Sequence, residues 1–231
     1  MFLALSALSA LLTLIAFWLP NRSAARPDEP MLRRLSLGRT EAALLLSMAL
    51  FTFGSLAIWP FMERAAHAIG ISAVEFGRFQ SIATLASALG NVILAAIVGR
   101  IRYEAALAGA LLVCGLSCAA LTTVSTPGLF GVALIAYNVS WFVSYPLLLG
   151  IAYRVDEKGS LPVLCSAVWL LMTSAGSLTT GFIAQAMGGY GPVGPLGLAF
   201  CLLAIAFAVP LARRVARAEA TASSGVLSTA G

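Results

Sequence analysis

Long apolar runs separated by short polar turns constrain this chain more than any other feature of its sequence. The runs are about 20 residues long, which is the length at which an α-helix crosses a hydrocarbon layer of about 30 Å. Only 10% of the residues are charged, against about 25% in a typical soluble domain. A β-barrel would need strands of alternating apolar and polar residues, and these runs are continuously apolar. The sequence therefore predicts an all-α polytopic protein embedded in a lipid bilayer.

Prolines, glycines and charged residues divide the apolar sequence into seven predicted transmembrane helices. We number them spans one to seven, at residues 1–19, 41–62, 79–99, 104–124, 128–153, 161–187 and 193–212. Residues 1–19 lack the basic start of a signal peptide, so we interpret them as a true membrane helix. Residues 20–40 form a polar cytoplasmic linker, and residues 41–214 hold a six-helix bundle. Residues 215–231, rich in Ala, Ser and Thr, are predicted to be a disordered cytoplasmic tail.

Basic residues are distributed unequally between the two sides of the membrane. If the spans alternate in direction, all but Arg64 and Arg78 of the 14 Lys and Arg residues lie on one side. Cytoplasmic loops carry an excess of Lys and Arg, so we predict an N-terminus outside and a C-terminus in the cytoplasm, as in a bacterial inner (plasma) membrane protein. Arg100 and Arg102 then mark a short cytoplasmic turn. The net charge of +5 is explained by topology, without a nucleic-acid partner.

No Lys, Arg, Asp or Glu lies at the middle of any predicted span, and this disfavours several classes of membrane protein. The only lysine, Lys158, and the only histidine, His67, both fall in predicted loops. A retinal-type receptor needs a buried lysine, and an intramembrane protease needs buried catalytic groups. The cysteines lie inside apolar runs without further ligands nearby, so we expect small buried side chains rather than a metal site; they are Cys114, Cys118, Cys165 and Cys201. We expect no catalytic residues, no enzymatic activity and no cofactor or metal.

Polar and aromatic residues follow one helix face in each of four predicted spans, because they recur at intervals of three or four. Side-chain amides and hydroxyls also hold membrane helices together, and that alternative remains open for the polar residues. For Trp59 and Trp169 a place in the aromatic belt at the membrane interface also remains open. Four such faces in one bundle favour a shared water-accessible cavity, with spans four and seven behind it. The candidate cavity residues are Ser55, Trp59, Gln80, Thr84, Asn91, Asn138, Trp141, Tyr145, Trp169, Thr173 and Ser177.

The order of these spans suggests an internal repeat. Spans two to four and spans five to seven each consist of two helices with a polar face followed by one without. Because each unit has three helices, two copies in one chain lie in opposite orientations. This is the 3+3 inverted repeat found in many transporter folds.

With these features the chain resembles the C-terminal half of a major facilitator superfamily (MFS) transporter over residues 1–214. Span one is similar to the sixth helix of that family, residues 20–40 to its central cytoplasmic loop, and spans two to seven to its seventh to twelfth helices. Residues 95–103, AAIVGRIRY, resemble the family's G-x-x-x-D-R-x-G-R-R turn. Arg100 matches the arginine of that motif, whereas Ala95 and Gly99 replace its first glycine and its aspartate. Residues 156–159 (DEKG) and 176–181 (GSLTTG) resemble further turn and helix motifs.

The resemblance implies a secondary active transporter that moves a small organic solute by alternating access. The helices that line the solute cavity in the family match spans two, three, five and six. Five family helices have no counterpart before residue 1, so we expect a fragment or a half-transporter that works with a missing N-terminal half or with a second copy. The tryptophans and tyrosines suggest an amphipathic or aromatic solute. The alternative is a membrane interaction or accessory subunit that does not transport.

Overall fold

The computed structural model describes residues 38–156 and 159–229, with side chains described as far as Arg217. This part of the chain is all-helical and contains no strand. Predicted span one and most of the predicted linker lie outside the described residues. The helices are α1 Arg39–Leu56, α2 Met62–Ala68, α3 Ala73–Ile97, α4 Tyr103–Thr123, α5 Pro127–Val155, α6 Ser160–Met187 and α7 Val193–Thr229, with one 3₁₀ turn at Trp59–Phe61.

Six helical segments in the described part of the chain are long and apolar enough to cross a membrane. The first is α1 together with the 3₁₀ turn and α2, from Arg39 to Ala68, and the others are α3 to α7. They correspond to spans two to seven. The expectation of an integral membrane protein built from helices is therefore supported by six spans.

The start of α3 differs from the prediction. The helix begins at Ala73, earlier than residue 79, because Ser72 and Glu75 form a capping box. The Ser72 hydroxyl accepts a hydrogen bond from the Glu75 amide at 3.3 Å, and the Glu75 carboxylate accepts one from the Ser72 amide at 2.9 Å. The S-x-x-E pattern is a known helix-start signal that hydropathy alone does not register.

The end of α7 also differs from the prediction, since the helix continues to Thr229, through the region expected to be a disordered tail. Alanine has the highest intrinsic helix propensity, and alanines alternate with other residues between 216 and 222. Residues 215–229 contain too few large apolar side chains to form a packed core, but their alanines can still continue the helix.

The helices pack in the order α3, α5, α4, α7, α1, α6, each against the next. Within the described chain, α3 and α6 stand at the two ends of this series and have no extensive packing with each other. The bundle is consequently open between α3 and α6, while α4 and α7 pack together on the opposite side.

Small residues allow the close approach of α7 to its neighbours. A Cβ atom on Gly194 would overlap the Cys118 carbonyl of α4, and one on Gly197 would lie 2.9 Å from the Gly54 carbonyl of α1. Glycine at such contacts is typical of membrane helix packing. Cys118 and Cys201 are buried at this interface as free thiols, so here cysteine serves as a small apolar side chain.

Candidate functional site

A cavity of about 570 Å³ lies in the opening between α3 and α6. Asn91 of α3 and Trp169 of α6 flank it, and its floor consists of side chains from α1, the following 3₁₀ turn and α5. No residue of α4 or α7 lines it. The side chains that line it are apolar, aromatic, hydroxyl or amide groups, and none is Asp, Glu, Lys, Arg or His. The described part of this site is thus an uncharged, largely aromatic surface.

Stacked aromatic rings form a continuous wall of the cavity. Trp141 lies parallel to Tyr145, with ring centroids 5.6 Å apart and an interplanar angle of 5°. Its ring also stacks on Phe51 of α1 at 6.3 Å. Tyr145 in turn contacts Trp169 of α6 at 5.5 Å. These contacts join three helices and hold the flat faces in fixed positions, since aromatic pairs in such geometries are favourable beyond their buried area.

The first spanning segment is interrupted beside the cavity. The α1 helix ends at Leu56, and Pro60 follows within the 3₁₀ turn. Because proline has no amide hydrogen, it cannot continue the helical hydrogen-bond ladder, and the last carbonyls of α1 need other partners. The Tyr137 hydroxyl of α5 donates a hydrogen bond of 2.7 Å to the Ser55 carbonyl. The ring of Tyr137 also stacks on Trp59 at 6.2 Å, so one residue of α5 stabilises the break in α1.

A second proline, inside a continuous helix, lies on the same cavity. Pro146 lies inside α5 and removes the hydrogen bond that a residue at this position would donate to the Phe142 carbonyl. Both Pro146 and Phe142 line the cavity. Proline is tolerated inside a membrane helix where neighbouring protein or a cavity satisfies the freed backbone.

A hydrogen-bonded pair of amides joins α3 to α5 at the edge of the cavity. Gln80 donates through Nε2 to Oδ1 of Asn138 at 3.3 Å, and Asn138 donates through Nδ2 to the Leu134 carbonyl at 2.9 Å. Asn138 is almost fully buried. Asn91 bonds its own helix, through Nδ2 to the Ser87 carbonyl at 3.2 Å.

Two buried indole nitrogens, those of Trp141 and Trp169, have no hydrogen-bond partner among the described residues. Buried Trp N–H groups usually find an acceptor. The aromatic wall therefore contains two indole N–H donors without an acceptor. A ligand oxygen or nitrogen could accept a hydrogen bond from them after small side-chain movements.

The structure brings most of the sequence-predicted cavity residues together. Those that line the cavity are Trp59, Asn91, Asn138, Trp141, Tyr145, Trp169 and Thr173. Gln80 reaches the cavity only through its bond to Asn138.

The remaining candidates, Ser55, Thr84 and Ser177, do not line the cavity. Their hydroxyls donate to carbonyls of their own helices, at Phe51, Gln80 and Thr173 respectively. Serine and threonine commonly bond in this way inside helices, so a hydroxyl on the correct helix face need not reach a cavity.

Four lining residues were outside the predicted set, namely Leu56, Tyr137, Phe142 and Pro146. Leu56 and Phe142 are apolar and carry no distinguishing sequence signal. Pro146 and Tyr137 had usable signals, because proline inside an apolar span indicates an irregular helix near a site, and a tyrosine hydroxyl in a membrane span needs a partner.

The predicted turn residues lie outside the cavity, in the turn between α3 and α4. Arg100 and Arg102 are exposed between α3 and α4, and Arg102 donates to the Glu104 carboxylate at 2.7 Å. The Glu63 carboxylate lies on α2 outside the cavity, 3.7 Å from the His67 imidazole.

No family model matches the chain, and no curated protein matches it significantly.

Proposed function

We propose that this chain supplies one bundle of a secondary active transporter, and that the aromatic cavity is its part of the site for a small organic solute. The observation that carries the proposal is the position of the cavity beside the break between α1 and the 3₁₀ turn that contains Pro60, with Pro146 of α5 in its lining. Solute sites of secondary transporters are typically formed at discontinuous helices near the middle of the membrane.

The pattern of helix packing supports the inverted-repeat part of the proposal. The first unit consists of α1, α3 and α4, and the second of α5, α6 and α7. If each helix is replaced by its counterpart in the other unit, the packing of α1 on α7 becomes that of α5 on α4. The packing of α1 on α6 likewise becomes that of α5 on α3. The α4–α7 pair maps onto itself. Pro60 lies in the spanning segment that contains α1, and Pro146 lies in α5, so the two prolines belong to segments that exchange with each other. This is the relation expected of two three-helix units of opposite orientation, as in the MFS bundle that the sequence resembles.

The cavity lining favours an uncharged, flat solute. Burying an unpaired charge against an apolar surface is costly, and the described lining offers no ionisable partner apart from tyrosine hydroxyls. The parallel rings of Trp141 and Tyr145 provide a surface for stacking. The amide of Asn138 and the indole N–H groups would set the orientation of a polar edge on such a solute.

Alternating access in transporters of this kind rocks two bundles or repeats around a central site. The opening between α3 and α6 exposes the cavity on one side of the bundle. We propose that a second bundle covers this side, supplied by another polypeptide segment, another chain or a second copy.

A binding experiment tests the cavity assignment. The probe is 4-bromobenzamide, a flat uncharged amide whose bromine quenches nearby tryptophan. We expect saturable quenching of the detergent-solubilised chain, and about tenfold weaker binding after Trp141→Leu because stacking and apolar contact are both lost. Val92→Ala is the control, since Val92 of α3 is 68% exposed and does not line the cavity.

Transport is then measured in vesicles that contain the chain and its second bundle, with labelled benzamides as solutes. Saturable flux that Trp141→Leu abolishes and Val92→Ala preserves would support the proposal. Absence of both saturable binding and flux would overturn it and favour the accessory-subunit alternative.

A further inference from the structure

Two indole N–H groups at the aromatic cavity lack an acceptor, and they indicate the chemistry of the solute more closely than the shape of the cavity does. Trp141 of α5 and Trp169 of α6 both line the cavity. Nε1 of each is buried and has no hydrogen-bond partner among the described residues, and Trp141 as a whole is only 9% exposed. A buried donor without an acceptor is costly. A bound solute that supplied an acceptor would remove this cost.

The hydrogen bonds around the cavity are made without the indoles. Oδ1 of Asn138 accepts from Nε2 of Gln80 at 3.3 Å. The Thr173 hydroxyl donates to the Trp169 carbonyl at 2.7 Å. The first bond joins two helices, and the second joins a side chain to its own helix. The described lining therefore leaves both indoles to an acceptor on a molecule in the cavity.

The two donors belong to rings that contact the same residue, Tyr145. Trp141 stacks on it with ring centroids 5.6 Å apart, and Trp169 lies at 5.5 Å with its plane tilted by 53°. The two indoles thus lie in the same part of the cavity, although they come from different helices. Because α6 packs mainly on α1 and only slightly on α5, Trp169 can shift with its helix while Trp141 stays stacked. A shift of this kind would bring a solute atom to the indole nitrogens.

The donor type indicates what the solute presents. An indole N–H donates and cannot accept, so its partner carries a lone pair. A carboxylate would accept strongly, but the described lining contains no cation to pair with it, and an unpaired buried charge is costly. A carbonyl oxygen conjugated to a ring is an uncharged acceptor that lies in the plane of the ring. It therefore combines stacking on the aromatic wall with a hydrogen bond at the edge of the same group.

We propose that the aromatic cavity selects solutes that carry a carbonyl-type acceptor on a flat ring, with Nε1 of Trp141 and Nε1 of Trp169 as the specificity-determining donors. This inference rests on the proposed function of the cavity and names the solute class for it, an uncharged aryl ketone, aryl amide or related carbonyl compound. A hydrocarbon of the same shape binds less tightly, because it leaves the buried donors unpaired.

Two probes of nearly the same size and shape test this selection in the detergent-solubilised chain. The first, 4-bromoacetophenone, carries a carbonyl oxygen, and the second, 1-bromo-4-isopropenylbenzene, has a methylene group in its place. Quenching of tryptophan fluorescence by bromine measures both dissociation constants, with free concentrations corrected for partition into empty micelles. We expect the ketone to bind about tenfold more tightly, which is the order of selectivity that one net hydrogen bond confers.

Replacing Trp by Phe keeps an aromatic ring and removes the indole N–H. In the double variant W141F/W169F, where Trp59 still reports binding, the ratio of the two dissociation constants should fall to about one. Lost packing affects both probes, so the ratio isolates the hydrogen bonds. The matched control is W59F, because Trp59 also lines the cavity but its Nε1 is not one of the two buried donors. W59F should weaken both probes alike and keep their ratio.

A second measurement uses the unmutated chain and so does not depend on the folding of a variant. Proton–nitrogen correlation NMR follows the indole N–H signals, which are assigned by their disappearance in W141F and in W169F. The ketone should move the signals of Trp141 and Trp169 to lower field, since a new hydrogen bond deshields the proton. The hydrocarbon probe, which places the same ring in the cavity, should not.

The possible results separate this inference from the proposed function. Saturable binding of both probes with equal affinity would overturn the acceptor selection while leaving the cavity as a solute site. A ratio that persists in W141F/W169F would overturn the assignment to these two donors. Absence of saturable binding by either probe would overturn the inference together with the proposed function.

Discussion

The hydrogen bond from Tyr137 to the end of α1 gives a specific prediction about the break beside the aromatic cavity. Tyr137→Phe removes only the hydroxyl. The ring that stacks on Trp59 remains, so apolar packing is nearly unchanged. In the native chain the Ser55 carbonyl oxygen lies 2.7 Å from the Tyr137 hydroxyl oxygen and accepts its hydrogen bond. In the variant this carbonyl loses its donor. The loss falls at the end of α1, where the last carbonyls need partners from outside the helix.

The size of the effect follows from this environment. Tyr137 is only 1% exposed, and a buried acceptor left without a donor costs about 1–3 kcal/mol. Side-chain hydrogen bonds measured inside membrane proteins average about 0.6 kcal/mol. We therefore expect a loss of about 1 kcal/mol in the free energy of unfolding. For a chain of this size, that corresponds to a fall of about 2–4 °C in Tm.

Thermal unfolding in detergent, followed by circular dichroism, measures the change. The control is Tyr153→Phe, the same substitution on the same helix at a residue that is 60% exposed; it should leave Tm unchanged. Because the bond holds the break next to the cavity, Tyr137→Phe should also weaken binding of 4-bromobenzamide. Equal Tm values for the two variants would refute the role assigned to this hydroxyl.

Three further predictions concern other contacts in the bundle. Gly194→Ala should destabilise the chain by about 1–3 kcal/mol through overpacking, because the new Cβ would overlap the Cys118 carbonyl. The control Gly109→Ala, whose new Cβ meets no atom within 4 Å, should be neutral or slightly stabilising. A lower Tm for the Gly109 variant than for the Gly194 variant would contradict the α4–α7 contact. Gln80→Leu should cost about 0.6 kcal/mol in the same assay, since it removes the bond to Asn138, and no change would show that this bond contributes nothing. Glu63→Gln should leave the proton dependence of vesicle flux unchanged, because this exposed side chain lies outside the cavity; loss of coupling would assign it to the ion pathway.

Features that depend on a single helix were predictable from the sequence. Apolar length indicates whether a segment can cross the bilayer, so spans two to seven correspond to the six spans of the described chain, although their bounds differ. Helical periodicity is equally local. It placed Asn138, Trp141 and Tyr145 on one face of α5, and all three line the cavity.

Features that depend on two or more helices were decided by the tertiary structure. Periodicity gives the direction in which a side chain leaves its own helix, but it does not identify the neighbouring helix, cavity or lipid that the side chain contacts. Ser177 points along a polar face yet bonds its own helix, whereas Tyr137, outside the predicted set, spans the gap to the end of α1. Arg102 and Arg217, far apart in the sequence, line the same cavity of about 450 Å³ only because α4 packs along α7. Partner choice in a bundle depends on the close fit of small residues across an interface, and no single segment of the sequence contains that information.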